Sequence, residues 1–352
     1  MTEHGIGKGS QEQEAVKRKL DIIRTKLELT PFIPNANFIS AEAQTELAFK
    51  AKLEPYESLE YQQADLVDVS SDSTVTVHLT LQLSPQNCPT ILIIPSLIGS
   101  SSSPEVVRLG LSGFEKGFNI AAMNLRGQGD TEKLTKNIYH AGLTEDIHAV
   151  IKHLASVGLD KIFIAGFSLG GNATLKKVGG DHTDTKGYIK GAAVVSSAVD
   201  LAFNSTIIER SPHNKEILLA LQIAARKMGR YHPEDGWGTK EEIRNISSIK
   251  EWDGRYIAGP KPKRWGFINT DDYYERASAL PYIRNIRVPT LAIHAKDDTI
   301  ASVMPLLGSE FTNNPNIITL ITENGGHLGF VTEDNEHWAN SRVIEFFDAL
   351  RQ

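Results

Sequence analysis

The chain has 352 residues, 40% of them hydrophobic, which is enough to bury a core in one large domain or two smaller ones. Its 37 basic and 43 acidic residues give a formal net charge of -6, which excludes the basic surface that nucleic-acid binding requires. No run approaches the roughly 18 to 20 apolar residues of a membrane span, and residues 1–10 lack a signal peptide's apolar core. We therefore expect a cytoplasmic protein without a transmembrane segment.

The first 30 residues have a sequence pattern that differs from that of the rest of the chain. After a polar, glycine-rich start, Val16, Leu20, Ile23 and Leu27 recur at helical spacing among charged residues. This spacing predicts a tail followed by an amphipathic helix. Such helices more often dock on their own domain than on a membrane, and we expect the same here.

Strand patterns begin at Thr74, where strict alternation from Val75 to Leu83 predicts a half-buried antiparallel strand. Short apolar runs follow, several of them separated by helical patterns, which indicates buried parallel strands in βαβ units. The runs are Ile91–Ile94, Ile120–Met123, Ile162–Ala165, Ala192–Val195, Leu291–Ile293 and Ile317–Ile321. The predicted fold class is α/β: a single domain over residues 31–350, with helices on both faces of a mainly parallel sheet.

An insertion interrupts this alternation. About ninety residues separate the run ending near Ser197 from the run beginning at Thr290, whereas ordinary connections take two to six. They include an apolar helical stretch, Ile217 to Met228, and an aromatic stretch, Trp252 to Tyr274. We interpret residues 199–280 as a helical cap over the C-terminal edge of the sheet.

The motif Gly166-Phe167-Ser168-Leu169-Gly170 directly follows one of the buried runs and precedes a helix-compatible segment. This is the strand–turn–helix context in which a G-x-S-x-G turn holds a serine nucleophile. The tight turn needs glycine at its flanking positions, and the helix N-terminus favours developing negative charge. Ser168 is the candidate nucleophile.

A serine hydroxyl needs a base, and the base needs a carboxylate that orients it. Two carboxylates, Asp297 and Asp298, follow the run Leu291–Ile293, and His327 lies in a glycine-rich loop after the last run. The order serine, acid, histidine is the one expected with this turn. Asp297 and Asp298 are rival acids, with Asp200 a more distant one, and His294 is expected to be structural.

An oxyanion formed on attack needs two donors, normally the backbone N–H after the nucleophile and one from the loop after the third strand. These are Leu169 and, in the loop beginning Pro95-Ser96, Leu97. No H-E-x-x-H pair or Cys/His cluster is present, so we predict neither metal nor cofactor. The single cysteine, Cys88, lies in no Cys-dependent motif.

Beyond these motifs the chain resembles the YheT-like (AB hydrolase 4) family of the α/β-hydrolase fold, which includes plant embryogenesis-associated proteins and yeast ethyl-ester synthases. The resemblance covers nearly all of residues 31–350. It is carried by Pro31-Phe32, Gln44-Thr45, Asn124-Leu125-Arg126-Gly127, Ser168-Leu169-Gly170-Gly171-Asn172, Gly266-Phe267, Asp272-Tyr273-Tyr274, Ala277-Ser278, Val288-Pro289-Thr290, Ala295-Lys296-Asp297-Asp298 and Gly325-Gly326-His327-Leu328-Gly329-Phe330.

The resemblance has two consequences for the site. In the family the second aspartate of the pair is the matching acid, which selects Asp298. The family also has His-Gly before the oxyanion-loop leucine, where this chain has Pro95-Ser96. At this position the Cβ of Ser96 is expected either to push the loop outward or to be offset by a donor from the Ser96 hydroxyl.

The resemblance implies a serine hydrolase that cleaves carboxylic esters, small molecules with a short- to medium-chain acyl group, through an acyl-enzyme. Two alternatives stay open at this point. An alcohol acceptor in place of water would make the protein an O-acyltransferase with the same catalytic residues. The fold also supports ligand receptors that have no catalytic activity.

Overall fold

The computed structural model describes residues 4–34, 40–50, 59–180, 185, 187–259, 265–334 and 336–351. For residues 4–12 and 47–50 it describes the backbone alone. Residues 1–3 of the predicted tail and residues 260–264 of the predicted cap lie outside the described residues.

Within the described residues, eight strands build a single mixed sheet. They are β1 (Gln63–Ser70), β2 (Ser73–Thr80), β3 (Thr90–Ile94), β4 (Asn119–Asn124), β5 (Ile162–Phe167), β6 (Ile189–Val195), β7 (Thr290–Ala295) and β8 (Ile317–Thr322). Their order is β1-β2-β4-β3-β5-β6-β7-β8. The pairs β1–β2 and β2–β4 are antiparallel, and the other pairs are parallel. The predicted α/β class and mainly parallel sheet are confirmed.

The predicted antiparallel strand corresponds to β2, which ends earlier than the apolar alternation suggests. Leu83 lies beyond it and is fully exposed, at 105%. The backbone N–H of Gln82 donates to the side-chain oxygen of Asn119 instead of to a backbone oxygen of the neighbouring strand, so the ladder stops before Leu83.

Helices flank the sheet and fill the interval between β6 and β7. They are α1 (His4–Glu28), α2 (Ala41–Lys50), α3 (Pro104–Glu115), α4 (Thr144–Ser156), α5 (Leu169–Gly179), α6 (Leu201–Ile208), α7 (Asn214–Tyr231), α8 (Lys240–Arg244), α9 (Ile249–Tyr256), α10 (Thr270–Ala277), α11 (Ser309–Thr312) and α12 (Trp338–Arg351). None of those in the described part of the chain combines the length and apolar character needed to cross a bilayer.

The strand β3 shows how the sheet divides the core. Its side chains alternate between faces, as the pleat requires. Ile91 and Ile93 pack in one apolar cluster with α3 and α12, whereas Leu92 and Ile94 pack in another with α4. Both faces of β3 are therefore covered, which explains why its sequence is a continuous apolar run.

The N-terminal helix α1 docks on the domain. Leu20, Ile23 and Leu27 are buried in the cluster that contains α12, and Arg24 donates to the backbone oxygen of Ile317 on β8. The helix begins at His4, so it extends back into the segment predicted as a tail.

Candidate active site

Ser168 lies at the junction of β5 and α5 in a strained turn. Its φ of 50° and ψ of -115° are unusual for a residue with a side chain. A Cβ at Gly166 would lie 2.6 Å from the backbone oxygen of Gly170, and one at Gly170 would lie 2.2 Å from the backbone oxygen of Pro95. Only glycine at both positions lets strand, turn and helix approach this closely.

The structure brings Ser168, His327 and Asp298 into one hydrogen-bonded chain. The Nε2 atom of His327 lies 2.9 Å from the Oγ of Ser168, and its Nδ1 lies 2.8 Å from Oδ2 of Asp298. Ser168 is 7% exposed and His327 is 1% exposed. The chain from a buried carboxylate through imidazole to hydroxyl has the geometry of a nucleophile with its base.

Asp298 is held as an ionised acceptor. Burial by itself would raise the pKa of its carboxyl, but the interaction with His327, aided by the Ala301 N–H, lowers it. Its Oδ1 accepts from the N–H groups of Ile300 and Ala301, which fixes the carboxylate. An ionised Asp298 keeps the proton on Nδ1 of His327, so Nε2 presents its lone pair to Ser168.

The rival residues have other contacts. Asp297 accepts from the N–H of Gly326 through Oδ1 and makes no bond to the imidazole of His327. Asp200 accepts from the N–H of Phe203 and caps α6. His294 is buried, its Nε2 donates to the backbone oxygen of Ala301, and burial lowers its pKa, so it supports the Asp298 loop as a neutral ring.

The loop that carries His327 packs against α2. The N–H of His327 donates to Thr45 Oγ1 at 2.8 Å, and Gln44 accepts from the N–H of Val331. A Cβ at Gly329 would lie 2.4 Å from the backbone oxygen of Gln44, so loop and helix meet backbone to backbone. Gln44 and Thr45 occur in the sequence resemblance, but no sequence argument gave them this role.

The two predicted oxyanion donors lie at the ends of neighbouring strands. Leu97 follows β3 and Leu169 follows β5, and within the described residues neither backbone N–H has a hydrogen-bond acceptor. The loop that carries Leu97 has a strained backbone at the next residue, because Ile98 has a φ of 65°. Its N–H donates to the Tyr139 hydroxyl at 2.7 Å, which helps to hold the loop.

Ser96, which replaces the family's glycine, points its hydroxyl at Glu105. Oγ of Ser96 donates to Oε1 of Glu105 at 2.8 Å, and burial raises the pKa of that carboxyl. The hydroxyl is thereby engaged with α3. Of the two expectations for this position, an extra oxyanion donor from Ser96 is the one that this contact argues against.

The segment Asn124-Leu125-Arg126-Gly127 at the end of β4 ties the oxyanion loop to the sheet. Asn124 accepts from the N–H of Ser101 at 2.6 Å, and Arg126 forms a two-bond ion pair with Asp146 of α4, with distances of 2.7 and 2.6 Å. Both members of this ion pair are buried. The Asn-Leu-Arg-Gly segment therefore braces the site instead of contacting the nucleophile.

A cavity of about 70 Å³ lies between the strand ends and the cap. Leu97 and Leu169 line its floor, and side chains of α6, α7, α9 and α10 cover it. This position, at the carboxyl ends of parallel strands, is where α/β sheets bind ligands. The lining is mainly apolar, but it includes His140 and Asp253.

One group of potential metal ligands occurs among the described residues, in the segment after α7. It comprises His232, Glu234 and Asp235. Nε2 of His232 donates to the backbone oxygen of Glu132 at 2.7 Å, and Glu234 is exposed. Nothing in this group requires a cation, and the hydrogen-bonded chain at Ser168 needs none for its chemistry.

Comparison with known proteins places this geometry in a family. A family model described as the alpha/beta hydrolase fold matches residues 89–204. An abhydrolase domain-containing protein of Dictyostelium discoideum is 32% identical over 275 residues, which cover 75% of this chain and 68% of that protein. The putative esterase YheT of Escherichia coli is 29% identical, with 90% of this chain and 92% of that protein covered. This chain belongs to the YheT-like α/β hydrolases.

Other comparisons bear on fold and length. The esterase Pf2001 of Pyrococcus furiosus has the same fold, with a TM-score of 0.56 at 16% identity, covering 84% of this α/β hydrolase and 92% of that chain. Some curated relatives are longer, and this α/β hydrolase spans 58 to 60% of their length. The family predicted from the sequence is confirmed.

Proposed function

We propose that this α/β hydrolase cleaves carboxylic esters through an acyl-enzyme formed on Ser168. The observation that carries the proposal is the buried hydrogen-bonded chain Asp298–His327–Ser168, with heavy-atom distances of 2.8 and 2.9 Å. Esterase and lipase names among the relatives, including the E. coli putative esterase and a yeast monoacylglycerol lipase, support the same class.

In the first half-reaction, Oγ of Ser168 attacks the acyl carbon as its proton passes to Nε2 of His327. The negative charge that develops on the carbonyl oxygen is bound by the N–H groups of Leu169 and Leu97. His327 then gives the proton to the leaving alcohol oxygen, and the acyl group remains on Ser168. In the second half-reaction water gives a proton to His327 and attacks the acyl carbon. The bond to Oγ of Ser168 then breaks, His327 returns the proton to Oγ, and the acid is released.

The acyl group is expected to be of short to medium length. The cavity beside Leu97 and Leu169 offers a mainly apolar site, but its volume of about 70 Å³ is well below the roughly 300–1,000 Å³ of typical ligand pockets. Longer chains therefore require the cap side chains to move. A chain-length series of p-nitrophenyl esters tests this, and equal activity at all lengths would contradict it.

Transfer of the acyl group to an alcohol is a second candidate. The burial of Ser168 and His327, together with the apolar cavity, restricts access of water to the acyl-enzyme. An ethyl ester synthase/esterase of Saccharomyces cerevisiae is 26% identical to this chain. Ethanol added to a hydrolysis reaction should yield ethyl esters if transfer competes with hydrolysis.

Labelling with a fluorophosphonate probe tests the proposed nucleophile. We expect an adduct on Ser168, located by peptide mass spectrometry, that is absent from Ser168→Ala. Ser196→Ala provides a matched serine control, because Ser196 is a buried serine at the end of a neighbouring strand. Absence of labelling in folded wild-type protein would favour a ligand receptor over an enzyme.

A further inference from the structure

The cavity beneath the cap contains a carboxyl group that the ester mechanism does not use. Asp253 on α9 lines the cavity, and its Oδ2 accepts from the Tyr274 hydroxyl at 2.8 Å. Among the described residues no lysine or arginine lines this cavity. Burial raises the pKa of Asp253 to about 7. A carboxyl group buried with a single hydrogen bond lowers stability, so a compensating role in binding is expected.

A buried amide that lines the same cavity has an unpaired donor. Gln128, in the loop after β4, is 5% exposed, and its Nε2 has no hydrogen-bond acceptor among the described residues. It lines the same cavity as Asp253. Buried amide groups are nearly always hydrogen-bonded, so a free donor that lines a cavity indicates a missing acceptor.

His140 adds a second donor to this lining. Its Nδ1 accepts from the N–H of Gly142 at 3.2 Å, and burial lowers its pKa to about 3. The ring is therefore neutral and carries its proton on Nε2. The cavity lining thus offers an acceptor, Asp253, and two donors, Gln128 and His140, among otherwise mainly apolar side chains.

We propose that Asp253 and Gln128 form a subsite for a hydroxyl group on the substrate, so that the preferred esters are hydroxylated. A hydroxyl donates one hydrogen bond and accepts others, which satisfies the carboxylate and the amide together. An ammonium group would pair with Asp253 but has no acceptor for Gln128. An unsubstituted alkyl chain leaves the Gln128 amide unpaired and gives Asp253 nothing beyond its one hydrogen bond from Tyr274. This inference rests on the proposed ester hydrolysis at Ser168.

The test compares esters that differ only by a hydroxyl in place of a methyl group. On the acyl side the pairs are p-nitrophenyl 3-hydroxybutyrate with 3-methylbutyrate, and 6-hydroxyhexanoate with heptanoate. On the alcohol side the pair is 2-hydroxyethyl butyrate with propyl butyrate. We expect kcat/KM to favour the hydroxyl member by about tenfold or more in at least one pair, since one satisfied hydrogen bond accounts for that ratio. The pair that responds shows which part of the ester carries the hydroxyl.

Variants assign the preference to the subsite. Asp253→Leu should lose the preference for the hydroxyl member and gain activity on the methyl member. Gln128→Leu should reduce the preference, and it keeps the test available if Asp253→Leu fails to fold. Asp271→Leu removes an exposed carboxylate from the same cap and should leave the ratio unchanged.

The outcomes separate this inference from the proposed function. Hydrolysis of all pairs with ratios near one, unchanged in Asp253→Leu, overturns the hydroxyl subsite and leaves ester hydrolysis intact. If no ester is cleaved and Ser168 is not labelled, the proposed function fails. The dissociation constants of the same pairs, measured by calorimetry on Ser168→Ala, then decide the subsite independently: equal affinities within a pair would overturn it.

Discussion

The carboxylate beside His327 decides which nitrogen of the imidazole faces Ser168. Asp298 accepts from Nδ1 at 2.8 Å, whereas Asp297 accepts from the backbone of Gly326. Two adjacent aspartates thus serve two different groups: one orients a side chain and the other fixes a loop. The residue spacing alone left both open, because consecutive residues after a strand point in different directions that only the folded loop determines.

Asparagine substitutions at Asp298 and at Asp297 should lower kcat to different extents. In Asp298→Asn the new amide donates to Nδ1 of His327, which moves the proton to Nε2 and removes the base, so kcat should fall by about 10³- to 10⁴-fold. In Asp297→Asn the side-chain oxygen still accepts from Gly326, and the loss should stay below about tenfold. Steady-state kinetics on one ester measures both, and a larger loss of kcat in Asp297→Asn than in Asp298→Asn would point to Asp297 as the acid.

The buried Asp253 makes stability depend on pH. Its pKa is about 7 in the folded protein and about 3.9 in an unfolded chain. Between these values the folded protein holds a proton that the unfolded chain has released, so the stability contribution is largest below pH 4 and disappears as pH rises towards 7.

Asp253→Asn lacks this titration. From pH 5 to pH 7 its free energy of unfolding should therefore rise relative to wild type by about 2 kcal/mol. Urea denaturation of both proteins at the two pH values measures the difference, and Asp271→Asn, an exposed substitution in the same cap, is the control. A difference between variant and wild type that stays constant with pH would contradict the expectation.

At the scale of elements, Gly170 is the point where the nucleophile turn meets the oxyanion loop. A Cβ there would lie 2.2 Å from the backbone oxygen of Pro95 and 2.6 Å from that of Ile94. Neither backbone atom can move without shifting β3 or α5. The absence of a Cβ at Gly170 therefore allows the close approach that sets the relative position of Ser168 and Leu97.

Gly170→Ala should destabilise the protein by about 2–3 kcal/mol and lower kcat/KM by about 10²-fold, because the oxyanion loop is displaced from the nucleophile. Gly187→Ala is the matched control, since a Cβ at Gly187 meets nothing within 4 Å. Urea denaturation and ester kinetics measure both effects. A Gly170→Ala protein with wild-type activity would show that the loop tolerates the displacement.

The elements that the sequence predicts best are those whose pattern is local. The six apolar runs lie within β3 to β8, because strands buried on both faces need apolar residues at every position. The sequence does not predict the edge strand β1: half of the residues from Gln63 to Ser70 are polar, and most of its positions are solvent-exposed. Its pairing depends on β2, which periodicity within β1 does not reveal.

The candidate site shows the same division. Ser168, Asp298 and His327 could be predicted because each follows a strand end within a recognisable motif. Thr45 and Asp253 could not be assigned roles, because their contacts depend on how α2 and the cap pack. Thr45 meets His327 across 282 positions of sequence, a separation at which no periodic pattern carries information.

At the scale of the whole molecule, α1 closes one face of the domain. Ile23 is 5% exposed and packs in the cluster of α12, whereas its neighbour Ile22 is 72% exposed. Lys19 donates to the backbone oxygen of Leu350 in α12, which links the two terminal helices. The helix is thus part of the core despite its largely polar sequence.

Alanine substitutions at Ile23 and Ile22 should show how much of the free energy of unfolding comes from docking of α1 and how much from formation of the helix. Ile23→Ala leaves a cavity between α1 and the domain and should lower the free energy of unfolding by about 2–4 kcal/mol. Ile22→Ala changes the same residue type on the solvent face and should alter it by less than about 0.5 kcal/mol. Equal effects, measured by urea denaturation, would mean that α1 does not pack on the domain as described.

The contact between Thr45 and His327 also has a consequence for the order in which the protein is made. A ribosome releases α2 and Ser168 long before it releases the loop that bears the imidazole, so the nascent chain holds a serine without its base. The loop that bears His327 emerges late and must pack against α2 before Ser168 can react. A substrate that meets the growing chain during synthesis therefore cannot acylate Ser168.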